Sequence, residues 1–266
     1  MSIRTNRGKH LPAELYKFPR TPHIQGSRLQ KGDEDLGLIP FGDIQGCHLV
    51  IEEKVDGANC AISFTSEGKL QLQSRGRFLQ GGKREKQFEL LKIWAAKHQL
   101  TFHERLGSRY VMYGEWVYAK HTVFYDRLPH YFLEFDILDS EHDTFLSSEE
   151  RKKLLAGLQI VSVPILGSGK FNTFEEITDL LQQSTFRSPE ALSILNELAL
   201  QLGLDPSEVL RQTDSENIAE GLYIKIEKGT KVVARCKFVR SSFESKLSDS
   251  PQRLIPNQLK RNVLFF

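Results

Sequence analysis

Residues 48–64 constrain this chain more than any other stretch. An apolar run ends on Glu52-Glu53-Lys54, Val55-Asp56-Gly57 follows, and a second apolar run starts at Ala58. The pattern predicts strand, tight loop, strand, with Asp56 and Gly57 supplying the turn chemistry and one lysine at its lip. A plain hairpin whose lysine faces water has the same signature. Lys-x-Asp-Gly also arises by chance in about one chain in twenty of this length. The tetrapeptide gains meaning only if other segments supply what a nucleophilic lysine needs.

At 266 residues the chain can form one large domain or two small ones with a substantial core. Hydrophobic residues at 39% and charged residues at 26% are ordinary for a globular protein and argue against a disordered or membrane class. No apolar run approaches a spanning helix, and the polar N-terminus lacks a signal-peptide core. Cys47, Cys60 and Cys236, odd in number and far apart, fit neither a disulfide framework nor a zinc site, so a reducing cytoplasmic setting is expected. Net charge is only +2, but its distribution is uneven: residues 4–31 hold seven Lys or Arg against the single acid Glu14. A second basic cluster comprises Arg75, Arg77, Lys83, Arg84 and Lys86. Either is a solvated face or an anion contact.

Along the chain, the prolines of Phe18-Pro19-Arg20-Thr21-Pro22-His23 predict an extended, turn-rich arm over 1–47, with Arg20, His23 and Arg28 as candidate anion contacts. Residues 69–74 alternate as a half-buried strand and run into Arg75-Gly76-Arg77. Residues 83–98 read as an amphipathic helix with Trp94 in the core. Strands are expected over 109–118 and 131–138. Both carry acids in apolar runs (Glu115, Glu134, Asp136), which are costly to bury unless they find a cation, a metal or a good donor. Residues 147–212 read as a helical insertion, with capping-box spacing at Ser147-x-x-Glu150 and Thr173-x-x-Glu176, a capped proline start at Asp205-Pro206, and a further helix from Ser188-Pro189. Nothing in that segment looks like chemistry. A hairpin over 218–226 and 231–238 turns through Lys228-Gly229, with Arg235 and Lys237 on one face and Lys225 an odd step from Glu220. Residues 240–266 read as a tail that packs back through Leu264, Phe265 and Phe266.

Taken together, Lys54-Val55-Asp56-Gly57, Ser74-Arg75-Gly76, Tyr113-Gly114-Glu115-Trp116, Glu134-Phe135-Asp136, Glu220-Gly221-Leu222-Tyr223-Ile224-Lys225 and Arg235-Cys236-Lys237 resemble, in order and content, the covalent nucleotidyltransferase superfamily of ATP-dependent ligases and capping enzymes. Asn59, two residues after the glycine, and Phe135-Asp136 lean towards the nick-sealing RNA ligases. The resemblance implies an α+β, ATP-grasp-like ligase fold: antiparallel β-sheets forming a nucleotide cleft, with helices packed outside. Lys54 would take AMP from ATP as a phosphoramidate, pass it to a 5′-phosphate RNA end and seal that end to a 3′-hydroxyl. By family analogy Lys54, Lys237, Lys225 and Glu220 are catalytic. Glu53, Asn59, Arg75, Glu115, Phe135 and Arg235 contact nucleotide, and Glu220, Glu115 and Asp136 hold Mg²⁺ or Mn²⁺. The cations Lys237, Arg235, Lys225 and Arg75, with a metal, are expected to favour the neutral Lys54 amine. The implied role is RNA repair, with an end-processing kinase-phosphatase as companion and no membrane association.

Two departures stand out. The last motif carries Arg235 where the family usually has lysine, and arginine is not a point-like ammonium. Only 266 − 237 = 29 residues follow Lys237, too few for an OB-fold, so residues 1–266 are expected to form a single adenylyltransferase domain. A DNA ligase domain, a GTP-dependent capping-type transferase and a non-catalytic nucleic-acid-binding module remain open alternatives.

Overall fold

The computed structural model describes residues 14–30, 32–33, 35–246 and 254–260. Arg4, Arg7, Lys9 and Lys31 of the basic arm, and Leu264, Phe265 and Phe266 of the tail, lie outside the described residues. The arm gives two short strands, β1 (His23–Ile24) and β2 (Leu38–Ile39). Then come β3 (His48–Lys54), β4 (Ala58–Phe64), β5 (Leu70–Ser74) and β6 (Arg77–Phe78), followed by helices α1 (Glu89–Lys97) and α2 (Gln99–Leu106). The middle of the chain forms β7 (Tyr110–Trp116), β8 (Phe132–Asp139), β9 (Thr144–Leu146) and α3 (Ser148–Leu155). Next are β10 (Val161–Ser162), β11 (Ile165–Gly169), α4 (Phe174–Thr178), α5 (Ala191–Gln201) and α6 (Pro206–Arg211). The chain then returns to the sheet as β12 (Gly221–Lys228) and β13 (Lys231–Val239).

The strands share one sheet in the order β11-β3-β12-β13-β9-β8-β7-β4-β5-β6, and neighbours along this path run antiparallel. Off this path, β1 pairs in parallel with β13 and with β2, and β10 pairs in parallel with β8. The chain is thus mixed α and β around an antiparallel sheet. No helix among the described residues is long and apolar enough to cross a membrane.

The two strands around Lys54 do not form a hairpin. β3 lies between β11 and β12, whereas β4 lies between β7 and β5. Residues 55–57 therefore carry the chain from one half of the sheet to the other, and the three-residue β9 joins the halves through β13 and β8. Partner choice between strands is a non-local matter that turn chemistry does not fix.

Period-two alternation sorts the two faces. Cys60, Ile62, Met112 and Trp116 face α1 and α2, packing on Trp94, Phe102 and Leu106. Leu49, Ile51, Leu222, Ile224, Cys236 and Phe238 face Phe41, Ile44 and Ile177. Their alternates (Glu52 and Lys54 on β3, Tyr223 and Lys225 on β12, Arg235 and Lys237 on β13) look inward. The predicted caps form: Ser147 accepts from Glu150 N–H, Thr173 from Glu176 N–H and Asp205 from Ser207 N–H. The helix expected over 83–98 begins as a 3₁₀ turn (Lys83–Phe88) before α1, and α2 extends the helical layer beyond the expected limit. α5 starts at Ala191, after a Ser188-Pro189 turn in which Ser188 Oγ accepts the Glu190 N–H at 3.2 Å while the Ser188 N–H and hydroxyl donate to Asp126 at 2.7 and 2.5 Å.

Gly221 stands opposite Lys54 in the β12–β3 register, and a Cβ there would run into the Phe238 carbonyl oxygen of β13. Gly221→Ala must push two central strands apart. It is expected to cost on the order of 1–3 kcal/mol in urea unfolding, whereas alanine at Gly42, which meets nothing within 4 Å, should not.

Candidate active site

A cleft of about 680 Å³ opens between the two halves of the sheet, where β3 and β4 part. Of the residues singled out by sequence, Glu53, Lys54, Asn59, Arg75, Glu115, Phe135 and Lys237 line it. Asn59 and Glu115 are cross-strand partners on β4 and β7. Phe135 sits where the β7–β8 register slips by one residue, so that Tyr113 opposes Asp136 and Gly114 opposes Glu134. A bulge of this kind re-aims a side chain. Here it turns a half-buried aromatic into the cleft, edge-on to Phe18 at 5.1 Å.

Lys54 Nζ is 2.8 Å from Glu220 Oε1, at the residue just before β12. Glu220 is 5% exposed, and its Oε2 has no hydrogen-bond partner among the described residues. The expectation that cations strip Lys54 of its proton needs correction. Burial alone would lower the Lys54 pKa, but the charges of Glu220, Glu115 and Asp56 outweigh it, and the amine is held as ammonium above its usual range. Glu115 is pushed up to about 8, by burial first, with Asp56 and Glu220 adding and Lys54 opposing. The buried Glu220 Oε2, unbonded among the described residues, is a carboxylate oxygen open to a ligand, and a small hard divalent cation takes one or two carboxylates together with phosphate oxygens and water.

Lys225, Arg235 and Asp136 do not reach the cleft. They belong to a buried charged layer behind Phe135, in which Glu52, Glu134 and Asp136 meet Arg151, Lys225 and Arg235. Lys225 Nζ lies 2.9 Å from Glu52 and 3.6 Å from Asp136, and Arg235 lies 3.4 Å from Asp136 while stacking on Phe145 at 3.9 Å. Arg151, from α3, reaches Glu52 and Glu134 at 3.1 Å each. Asp136, expected as a metal ligand, is fully buried against these cations, because a buried carboxylate needs paired charge. The bulge frees the Phe135 carbonyl from the ladder, and Lys225 and Arg151 both donate to it. The Glu53 carboxylate is likewise engaged, by the hydroxyls of Ser184 at 2.5 Å and Thr185 at 2.9 Å.

Several residues that position the site have no sequence signal. Arg151, Ser184 and Thr185 come from the segment read as scaffold. Asp56 Oδ2 accepts the N–H groups of Thr122 and Val123 at 2.7 and 2.8 Å, and Asp56 N–H donates to the Tyr125 hydroxyl. That segment is itself clamped by buried Asn257, which accepts from Tyr125 N–H and donates to Val117 C=O. The tail thus braces the turn that carries Lys54. On the arm, Arg20 pairs with Asp35, His23 is buried against Asp33, and Arg28 donates to the Ser241 carbonyl, so none of the three offers a free anion contact. Arg75, Arg77, Lys83 and Lys86 are exposed, with no carboxylate partner among the described residues, and the two arginines line the cleft.

A family model described as RNA ligase matches residues 48–239, which contain Lys54, most of the cleft lining and Lys237. The chain belongs to the RNA ligase family. A solved variant of Naegleria gruberi RNA ligase without ligand is 16% identical and aligns over 76% of this chain and 52% of its own, with a TM-score of 0.50. Variants of the same enzyme with ATP and Mn (16% identity, TM-score 0.49) and with AMP and Mn (15%, 0.48) align over the same shares. This RNA ligase family chain therefore spans about half the length of those structures. No curated protein matches it at a significant level.

Proposed function

We propose that the protein is an ATP-dependent RNA ligase built on an ATP-grasp-like nucleotidyltransferase fold. Residues 48–239, the arm and the tail would act as one adenylyltransferase unit. The observation that carries the reading is the Lys54 amine at the cleft lip, 2.8 Å from Glu220 and between walls bearing Phe135, Glu115, Asn59 and Lys237, in a chain of the RNA ligase family.

In this reading Phe135 stacks on the adenine, Glu115 bonds the ribose and Asn59 the phosphates. Lys54 Nζ attacks the α-phosphorus. For that attack the ammonium first passes one proton to Glu220 Oε1, 2.8 Å away; the free amine then forms the N–P bond as the P–O bond to pyrophosphate breaks, and the second amine proton leaves with the departing pyrophosphate. Lys237 meets the charge developing on the phosphoryl oxygens, where a preorganised cation acts best. Glu220 and Glu115 would hold Mg²⁺ or Mn²⁺, which when bound offsets phosphate charge and draws off the carboxylates that keep Lys54 protonated. A 5′-phosphate oxygen of RNA then takes the AMP, breaking the N–P bond, and a 3′-hydroxyl displaces AMP to seal the strand. Arg75, Arg77, Lys83 and Lys86 would hold RNA phosphates. Lys225 and Arg235 would act through Phe135 and the cleft wall rather than on phosphate. We assign the activity to RNA repair in the cytoplasm, on ends prepared by a kinase-phosphatase.

The test is incubation with Mg²⁺ and α-labelled ATP or GTP. Acid-labile, base-stable label from ATP is expected, followed by sealing of a nicked duplex with RNA on the 3′-hydroxyl side. Label from GTP alone would make the protein a capping-type transferase. Sealing confined to DNA ends would make it a DNA ligase, and no label from either nucleotide would end the catalytic reading.

A further inference from the structure

The arm lies ahead of the family-matched region, yet it touches the cleft's second lysine. β1 runs parallel to β13 with His23 opposite Lys237, and Lys237 N–H donates to the Pro22 carbonyl. We propose that Asp33 is a positioning residue for Lys237: its carboxylate bridges the Lys237 amine and His23 Nε2, and so fixes where that amine enters the cleft. The proposal rests on the catalytic reading of the cleft given above.

The hydrogen-bond chain behind Asp33 has a single direction. Ser27 Oγ accepts the Val239 N–H at 2.9 Å, which leaves its own hydrogen for His23 Nδ1 at 2.6 Å. Nδ1 is then the acceptor, and the ring proton sits on Nε2, facing Asp33 at 3.0 Å. His23 is fully buried; burial pushes its pKa down, with the charges of Lys237 and Lys54 adding and Asp33 opposing, so the ring stays neutral in this tautomer. Burial opposes ionisation of Asp33, but the Lys237 and His23 donors outweigh it and hold the carboxyl at about 2. Arg20, 3.5 Å away, shares the same carboxylate.

Lys237 needs such a partner. Burial lowers its pKa, Asp33 opposes that, Lys54 lowers it further, and Glu220 offers weaker support. Its cross-strand neighbour Tyr223 bonds Thr21 and supplies no charge. Remove the Asp33 charge and Lys237 gives up its proton more readily. A neutral amine cannot stabilise a phosphoryl transition state.

The experiment measures single-turnover labelling of the full chain by α-labelled ATP and Mg²⁺ between about pH 6.5 and about pH 9, in wild type, Asp33→Asn and Asp33→Glu. The Asn variant should fall behind wild type by about tenfold more at the alkaline end than at the acid end, whereas Glu, which keeps the charge, should retain the wild-type profile. In ¹³Cε-lysine NMR, with the Lys237 signal assigned by Lys237→Arg, the titration midpoint should move to lower pH in Asp33→Asn. His23→Gln, which keeps the carboxylate but loses the fixed ring, should move it less. An Asn variant slowed equally at every pH, or a Lys237 midpoint that does not move, overturns the proposal and makes Asp33 an ordinary structural tie. A wild-type protein that never labels would instead remove the catalytic reading, while the NMR titration would still decide the Asp33–Lys237 link.

Discussion

Lys54→Ala is expected to lower covalent nucleotide transfer by on the order of 10⁴–10⁶-fold, the scale on which removal of a nucleophile acts. Neither of the other two motif lysines can take its place. Lys225 is fully buried and committed to Glu52 and the Phe135 carbonyl, and Lys237 is held by Asp33. Lys54→Arg should be equally inactive for a different reason. A guanidinium keeps its proton, so it can preserve the pairing with Glu220 without ever attacking phosphorus. The arginine variant should therefore melt close to wild type while accepting no label, which separates chemistry from folding. Label that persists in both variants with phosphoramidate stability would mean that another residue is the nucleophile. The α-labelled ATP assay with a thermal melt on the same samples measures both quantities.

Local pattern revealed the strands, the caps at Ser147, Thr173 and Asp205, and the burial of Trp94, because each depends on neighbours within a few residues. Alternation also put Arg235 and Lys237 on one face, and they do share it. It could not tell that Lys237 enters the cleft while Arg235 stacks on Phe145, since that depends on which acid each one meets across the sheet. The odd step between Glu220 and Lys225 left open how both could serve one site. Glu220 lies just before β12, where strand parity does not apply, and Lys225 serves a neighbouring layer. Sequence does not carry the charge state of Lys54, for a related reason. Its motif neighbours in sequence include cations, but its neighbours in space are Glu220, Glu115 and Asp56. Asn257 lies far from any motif, and a single asparagine carries no periodicity, so its clamp on the segment behind Asp56 was invisible.

The largest expected loss of stability comes from Arg151, which among the described residues is the one cation that touches all three acids of the buried layer. Arg151→Met keeps much of the volume but leaves three carboxylates facing two cations. Breaking a buried pair in this way costs about 3–5 kcal/mol. Burial already raises the folded pKa of Glu134, with Arg151 the chief opposing charge, so the substitution raises it further. A carboxyl whose folded pKa exceeds its unfolded value of about 4.3 stabilises the fold while protonated. That contribution is complete below the unfolded pKa and is lost as pH rises through the folded one. The deficit of Arg151→Met relative to wild type should therefore be small in acid and grow towards neutral pH. Urea unfolding at several pH values measures it. Adding Glu134→Gln restores two acids to two cations and should recover part of the loss at neutral pH, while Ser162, 2.6 Å from Glu134, can still bond the amide. A deficit independent of pH would assign the role of Arg151 to packing rather than charge. The same variant removes one of the two donors to the Phe135 carbonyl, so labelling at Lys54 should slow even under conditions where the protein remains folded.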